Sequence, residues 1–451
     1  MFLTSFSTVV GFLSMNFSAV PPFHHLGNTT AAGVVAAFLF SVTLLPALAS
    51  IIPMRVRISD KAPSRFLERF ADLVIRRRTA MLYGSALVVL ALAAFIPSNI
   101  LDDRFVEYFD NRVEFRVATD FTSDNLTGIY QVEYSIGSGE EGGISEPEYL
   151  STVDGFAAWF RAQPGVTHVN TFTDVMKRVN RTMHGDDEAY YSLPESRELA
   201  AQYLLLYELS LPYGLDLNNQ INVDKSATRF TVTLDDVSST EIRALATRGE
   251  EWLAREAKPD MAAVGSGPIV MFAYISGINI RSMLVGSVVA LVVISLLMIV
   301  ALQSLRLGLI SLIPNLVPGA VAFGIWGLTT GVVNIGLSVV LGLTLGIVVD
   351  DSIHFLSKYQ RARREDGLSP EDAVRHAFAN VGQALAITSL ILIAGFSVLA
   401  TSAFDMNASM GRLTAITLAI ALAADLLFLP PLLMKLDRRT SRAILVPATN
   451  P

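Results

Sequence analysis

Residues 330–359 read TGVVNIGLSVVLGLTLGIVVDDSIHFLSKY. About 20 apolar residues are enough to cross a bilayer, and this run is that long, yet Asp350, Asp351 and His354 lie inside it. A charged side chain at a bilayer centre costs roughly 2.5–3.5 kcal/mol on insertion scales, so such groups mark function by default. Helical spacing puts Asp350 and His354 on one face, with Lys358 extending the stripe. Gly342 and Gly346 form a small-xxx-small notch where a neighbouring helix can approach closely. Whatever fold the chain adopts must bury this helix among other spanning helices and give its acids partners.

The rest of the sequence supplies such helices. Hydrophobic residues make up 52% of the chain and charged residues 17%, the composition of a polytopic membrane protein. Cysteine is absent, which excludes a disulfide framework, a thiolate nucleophile and a zinc–thiolate site. The net charge of −7 hides a division. Between Ser98 and Ile278 there are 14 Lys/Arg and 29 Asp/Glu, a net of −15, and the remainder carries 20 and 12, a net of +8. An acidic block is thus set into a basic membrane part. The basic residues sit beside apolar spans, which argues against nucleic-acid binding.

Eight apolar spans are expected: Phe2–Ala19, Asn28–Ile52 (closed by Pro46 and Pro53), Ala80–Ile96, Arg281–Leu302, Leu307–Thr329, Val332–Leu356, Leu385–Ser402 and Leu413–Met434. Between the first two, Val20–Leu26 reads as a loop with Pro21, Pro22, His24 and His25. The expected layout is two spans in 1–53, a basic amphipathic connector in 54–79, one span in 80–97, an extracytoplasmic α+β block in 98–278, five spans in 279–436 and a cytoplasmic tail in 437–451. In the connector, Phe66, Leu67, Phe70 and Leu73 are expected to face lipid. Pro314 and Pro318 should kink the fifth span. Ser369-Pro370-Glu371-Asp372 reads as a capped helix start.

In the acidic block, Ile129–Ile136 and Arg229–Leu234 alternate like strands. Tyr149–Ala162, Glu195–Leu209 and Ser239–Ala257 have helical periodicity, the last capped by Ser239 or Thr240. The pattern predicts a ferredoxin-like α+β domain, with Gly137–Gly143 as a mobile loop. If the spans alternate, 18 of the 20 Lys/Arg outside the block fall on one side, with Arg281 and Arg412 opposite. The positive-inside rule makes that side cytoplasmic, together with both termini.

The two ends of the chain repeat each other. Shifted by 384 positions, Thr4-Ser5 falls on Thr388-Ser389, Gly11-Phe12 on Gly395-Phe396, Gly27 on Gly411, Thr30-Ala31 on Thr414-Ala415 and Leu45-Pro46 on Leu429-Pro430. Chance likeness of apolar spans explains shared Leu and Ala but not aligned Gly, Pro and Thr-Ser, so a duplication is inferred. Duplicated bundles characterise transporters whose site lies between the halves. The C-terminal copy follows the Asp-bearing helix and the N-terminal copy follows nothing. The expectation is therefore a C-terminal portion of a longer protein, lacking a first soluble block and about four spans.

Several stretches resemble the resistance–nodulation–division (RND) superfamily, in its MMPL and sterol-sensing-domain-like branch. They are GLTLGIVVDDSIHFLSKY at 342–359, SPEDAVRHAF at 369–378, ITSLILIAGF at 387–396, LIPNLVP at 312–318 and LTSFSTVVGFLSMNFSAVPPF at 3–23. The resemblance implies a duplicated twelve-span bundle, of which 1–53 would hold the last two spans of the first half, and a porter domain at 98–278. It implies export of lipid or other hydrophobic or amphiphilic molecules across the inner membrane. The proton gradient would be the energy source, with no cofactor and no catalytic residue.

The proton-relay candidates are Asp350 and Asp351, because adjacent buried carboxylates tend to hold one proton between them. His354 assists them or closes the cytoplasmic end, and Thr388 and Ser389 on the next span could hydrogen-bond the acids. Gly342, Gly346 and Gly395 are close-approach positions. Asp425 is a second relay member or, as favoured from sequence, a lone packed acid. Asn315, between two prolines, is expected to satisfy freed backbone. His24 and His25 lack a third metal ligand and read as polar loop residues. Expected partners are membrane lipids, an apolar cargo, the missing N-terminal half or a separate subunit, and a possible second copy of the chain. Two other readings stay open: a sterol-sensing-like lipid sensor or scaffold without transport, and an intramembrane aspartyl protease using Asp350 with Asp425.

Overall fold

The structure is a computed structural model and describes residues 2–52 and 65–444. Pro53, Arg55, Arg57 and Lys61 at the start of the basic connector, and the end of the expected tail, lie outside the described residues.

The chain opens with α1 (Phe2–Leu13), α2 (Pro21–Val42), α3 (Leu44–Ile51), α4 (Arg65–Arg76), α5 (Arg78–Ala93) and a two-residue β1 (Ile100–Leu101). There follow α6 (Glu114–Asn125), β2 (Tyr130–Gly137), α7 (Pro147–Arg161), β3 (Val166–Asn170), α8 (Phe172–Met183), α9 (Arg197–Ser210), β4 (Ala227–Leu234) and α10 (Ser239–Glu256). Then come α11 (Pro268–Ala301), α12 (Leu305–Thr329), β5 (Val332–Val333), α13 (Ile335–Arg364), α14 (Pro370–Ala377), α15 (Gln383–Leu399), α16 (Asp405–Ala423) and α17 (Leu429–Ile444). Two compact units result, one from residues 1–101 and 278–451 and the other Asp102–Gly277.

Among the described residues, seven helical stretches are long and apolar enough to cross a membrane. The eighth expected segment, Phe2–Phe17, is a shorter apolar helix. Ile335–Arg364 is the most enclosed, with 72% of its apolar window buried, because α1, α12, α14 and α16 all pack on α13. β1 pairs in parallel with β5. The helix start read at Ser369 is present, with the Asp372 N–H donating to Ser369 Oγ at 3.1 Å. That helix then runs on through a π-helical turn, Phe378–Gly382, into α15.

Two sequence expectations fail in the first unit. Val20–Leu26 is not a loop: Pro21 and Pro22 start α2, since proline's fixed φ suits a first helical turn and its missing N–H costs nothing there. The connector does not turn its whole apolar face outward. Phe66 and Leu73 are exposed. Phe70, in contrast, stacks edge-on against Phe378 at 5.9 Å, and Leu67 lies beside Gly382. Ion pairs from Arg78 to Glu371 and from Arg375 to Asp72 hold α4 and α5 to α14.

The second unit is built on a three-stranded sheet in the order β2-β4-β3. Both pairings are antiparallel, so β2 and β3 run parallel with β4 inserted between them. Alternation works as the pattern requires: Tyr130, Val132, Tyr134 and Ile136 are buried and the residues between them are not. Tyr134, Phe156, Phe160 and Phe230 form the centre of the core. The Tyr149 hydroxyl reaches Ile136 O at 2.9 Å and Thr228 Oγ1 at 2.7 Å, and burial pushes it up to about 12.

Two details here correct the sequence reading. The cap of α10 is Ser238, one residue before the expected Ser239 or Thr240. Its hydroxyl accepts from Glu241 N–H while Glu241 accepts from Ser238 N–H, a reciprocal capping box. Ser239 is instead turned to Asp102, whose carboxylate accepts its N–H at 3.0 Å. The 137–143 segment is pinned rather than free: Ser138 and Gly142 donate backbone N–H to Ser226 O and Asp224 O, and Arg197 pairs with Glu140 and Glu146. Its glycines serve turns, Gly139 and Gly142 having φ of 84° and 69°.

Candidate functional site

The centre of α13 is organised by three adjacent residues. Successive residues of a helix point 100° apart, so Asp350, Asp351 and Ser352 face three different neighbours.

Asp350 faces α1, whose Thr4 hydroxyl hydrogen-bonds its carboxylate. The two helices meet antiparallel at their small residues. Thr8 Oγ1 donates to Gly346 O at 3.1 Å. A methyl group built on Gly11 would lie 2.7 Å from Gly346 Cα, and one built on Gly342 would lie 2.7 Å from Ser14 Oγ. The Gly342–Gly346 notch therefore receives the first helix of the chain. His354 sits one turn beyond Asp350, with Nε2 3.6 Å from Oδ1, too far for a hydrogen bond. Both side chains are about two-fifths exposed, so this face of α13 is partly open.

Asp351 faces α15. Ser389 Oγ donates to Asp351 Oδ2 at 2.7 Å, and Ser389 is buried. Thr388 does not join them: it is exposed, and its hydroxyl turns back to Ala384 O and Leu385 O. Gly395, expected at a close approach, has no neighbour within reach of an added methyl group among the described residues.

Ser352 faces the break between α16 and α17. Its hydroxyl donates to Asp425 Oδ1 at 2.7 Å. Asp425 is 1% exposed and stands in a π-helical turn, Ala424–Phe428. Such turns are rare and recur at functional sites. Asp425 is therefore not a lone packed acid, as the sequence suggested. It belongs to the α13 cluster, and its Oδ2 has no hydrogen-bond partner among the described residues. A π turn leaves no simple residue signal, and 73 positions separate Asp425 from Ser352, so sequence alone could not pair them.

The repeat is visible in the packing. An added methyl at Gly27 would strike Phe12 O at 2.5 Å, and one at Gly411 would strike Phe396 O at 2.7 Å; both pairs differ by the same 384 positions. Within the Thr-Ser pair the copies diverge. The N-terminal copy presents Thr4 to an acid, and the C-terminal copy presents Ser389.

The other predicted residues are dispersed. His24 bonds Ser18 O through Nε2, and His25 is exposed. No group of three or more His, Asp or Glu among the described residues is placed to hold a metal. Asn315 is 4% exposed, and its Oδ1 has no hydrogen-bond partner among the described residues.

Three consecutive polar groups on the most buried span, each bonded to a different helix, define a polytopic membrane protein with an intramembrane acid cluster. The sequence pattern of the MMPL family matches residues 3–81 and 216–447, and the chain belongs to that family, within the RND superfamily. Two relatives illustrate it. The Methanocaldococcus jannaschii membrane protein MJ1562 is 25% identical over 150 residues, which cover 33% of this chain and 38% of that one. MmpL10 of Mycobacterium leprae, named a probable transport protein, is 36% identical over 100 residues, 21% of this chain and 10% of that one. Two solved structures share the fold. The hedgehog release protein Disp of the water bear Hypsibius dujardini superposes with a TM-score of 0.60 at 15% identity, covering 96% of this chain and 58% of that one. SecDF in its super-membrane-facing form gives 0.51 at 13%, covering 98% and 49%. The chain thus spans between a tenth and about three-fifths of the proteins it matches.

Proposed function

We propose that the chain is the C-terminal part of a proton-driven exporter of apolar or amphiphilic molecules in the inner, cytoplasmic membrane, with Asp102–Gly277 as its extracytoplasmic porter domain. The observation that carries this reading is the splayed triad on α13. Protonation of Asp350 or Asp351 changes what Thr4 and Ser389 are bonded to, and so changes how α1 and α15 sit on α13. Asp425, through Ser352, is the third acid of the relay. Coupling requires that two conformations differ in proton affinity; an acid set bonded to three separate helices supplies such a difference whenever one of them moves.

The cargo class is supported by a cavity of about 740 Å³ within the Asp102–Gly277 unit, lined by Phe105, Phe115, Ile129, Ile269, Met271 and Phe272. Apolar, aromatic walls of this size suit a lipid-like molecule. The repeat supports the expected N-terminal half or separate subunit. Exposed Thr388 and open Gly395 are the repeat counterparts of Thr4 and Gly11, which are covered by an Asp-bearing helix. A second helix of that kind, brought by the partner, would complete the symmetry.

The test is export by the complete transporter carrying Asp350→Asn or Asp351→Asn. Each should reduce export at least about tenfold at unchanged membrane level. Undiminished export in both would sink the relay.

A further inference from the structure

A second cavity, of about 340 Å³, lies within the first unit, between the start of α12, the last turns of α13 and the middle of α17. Its wall is basic. Arg306, Arg363 and Arg364 line it against one carboxylate, Asp437, a net of +2 among the described lining residues. That carboxylate is already engaged: Asp437 Oδ2 accepts from the Tyr359 hydroxyl at 2.8 Å and from Arg363 Nε at 2.6 Å. Arg306 and Arg364 donate to main-chain oxygens, Leu436 O at 2.6 Å and Gln303 O at 3.4 Å. Ile310, Tyr359 and Leu433 close the inner end and are buried, whereas Arg306 and Arg364 are exposed. Leu305 and Leu309, apolar residues of α12 that are 64% and 51% exposed, do not line it. The cavity therefore opens to water at the end of the bundle that carries the basic connectors, not sideways to hydrocarbon.

Like charges in one cavity repel, and more strongly as water is excluded. A dianion answers the charge of this wall. A guanidinium is planar, permanently charged and offers its N–H donors as a fork, the geometry that suits phosphate oxygens. The volume lies at the lower end of the roughly 300–1,000 Å³ typical of small-molecule sites. We propose that this cavity binds a small phosphate-bearing solute from the aqueous phase, with the phosphate held by Arg306 and Arg364 and oriented by Arg363, which Asp437 fixes in place. Bound there, the phosphate joins the start of α12 to the end of α13, the helix of the acid cluster. The site is separate from that cluster: Tyr359 lies eight residues beyond Asp351, about 12 Å along the helix. Its occupancy does not depend on transport.

The experiment measures equilibrium binding of radiolabelled inorganic phosphate to the full chain in phosphatidylcholine nanodiscs, with ionic strength held constant by chloride. Binding should be saturable, at one phosphate per chain, and glycerol phosphate should compete for it. Arg306→Gln and Arg364→Gln should each weaken it roughly tenfold or more, the cost of losing a charge-assisted donor. Arg364 is exposed, so its variant stands as the test if Arg306→Gln fails to fold. Arg361→Gln should leave binding unchanged, because Arg361 pairs with Glu365 and does not line the cavity. Absence of saturable binding would overturn the proposal. Equal weakening by Arg361→Gln would also overturn it, in favour of diffuse surface charge. Loss of binding when phosphatidylglycerol replaces part of the lipid would overturn the soluble ligand in favour of a lipid headgroup.

Discussion

Asp350, Asp351 and Ser352 reach three helices only because they are consecutive; residues spaced by three or four would have shared one. The two acids stand out in the sequence, since charge inside an apolar run is costly and conspicuous. Their partners do not. Nothing marks Ser389 over Thr388, or Asp425 as the mate of Ser352, because hydroxyls and single acids in spans carry no spacing rule across 38 or 73 positions. Repeat-equivalent glycines give a sharp test at this scale. Gly11→Ala puts a methyl against the backbone of Gly346, and neither backbone can yield cheaply. It should destabilise the protein by about 1–3 kcal/mol, read as a lower midpoint of thermal unfolding in detergent. Gly395→Ala meets nothing and should leave the midpoint of this chain unchanged within error.

At the scale of elements, the apolar spans and the amphipathic strands were legible because length and period are one-dimensional signals. β3, α6 and α8 were not, since half-exposed segments of mixed composition satisfy no period strongly. The connector misled because sequence shows that an apolar face exists, not whether lipid or Phe378 covers it. The start of α10 was missed by one residue: Ser238, Ser239 and Thr240 can each cap, and Asp102, far away in sequence, takes up Ser239. Removing the cap with Ser238→Ala should cost about 1 kcal/mol. Hydrogen bonds from Ser238, its backbone N–H first, hold the Glu241 carboxyl below its usual range. A depressed folded value means that the stabilisation is present above the unfolded pKa of about 4.3 and is lost as pH falls through the folded value. Glu241→Gln should therefore lower the melting midpoint at pH 7, and the difference from the unaltered protein should shrink as pH falls below about 4.3, checked by scanning fluorimetry from pH 7 downward.

For the whole molecule, the charge division predicts sidedness. With 18 of the 20 Lys/Arg outside 98–278 on one side of alternating spans, the positive-inside rule predicts basic connectors inside and the 98–278 unit outside. The absence of cysteine makes single-cysteine labelling clean. Asp187→Cys should react with an impermeant maleimide added outside intact cells, and Asp366→Cys only after permeabilisation; the reverse pattern would invert the topology. The duplication was legible in full from aligned Gly, Pro and Thr-Ser, but its asymmetry was not, because only packing shows that Gly11 is covered and Gly395 open. Proton flux through the complete transporter in proteoliposomes tests the acid cluster most directly. With an inward pH gradient, cargo-dependent proton entry should be present in the unaltered protein and abolished by Asp351→Asn at equal reconstitution. Cargo-dependent entry that persists undiminished in Asp351→Asn and in Asp350→Asn would contradict a relay on α13.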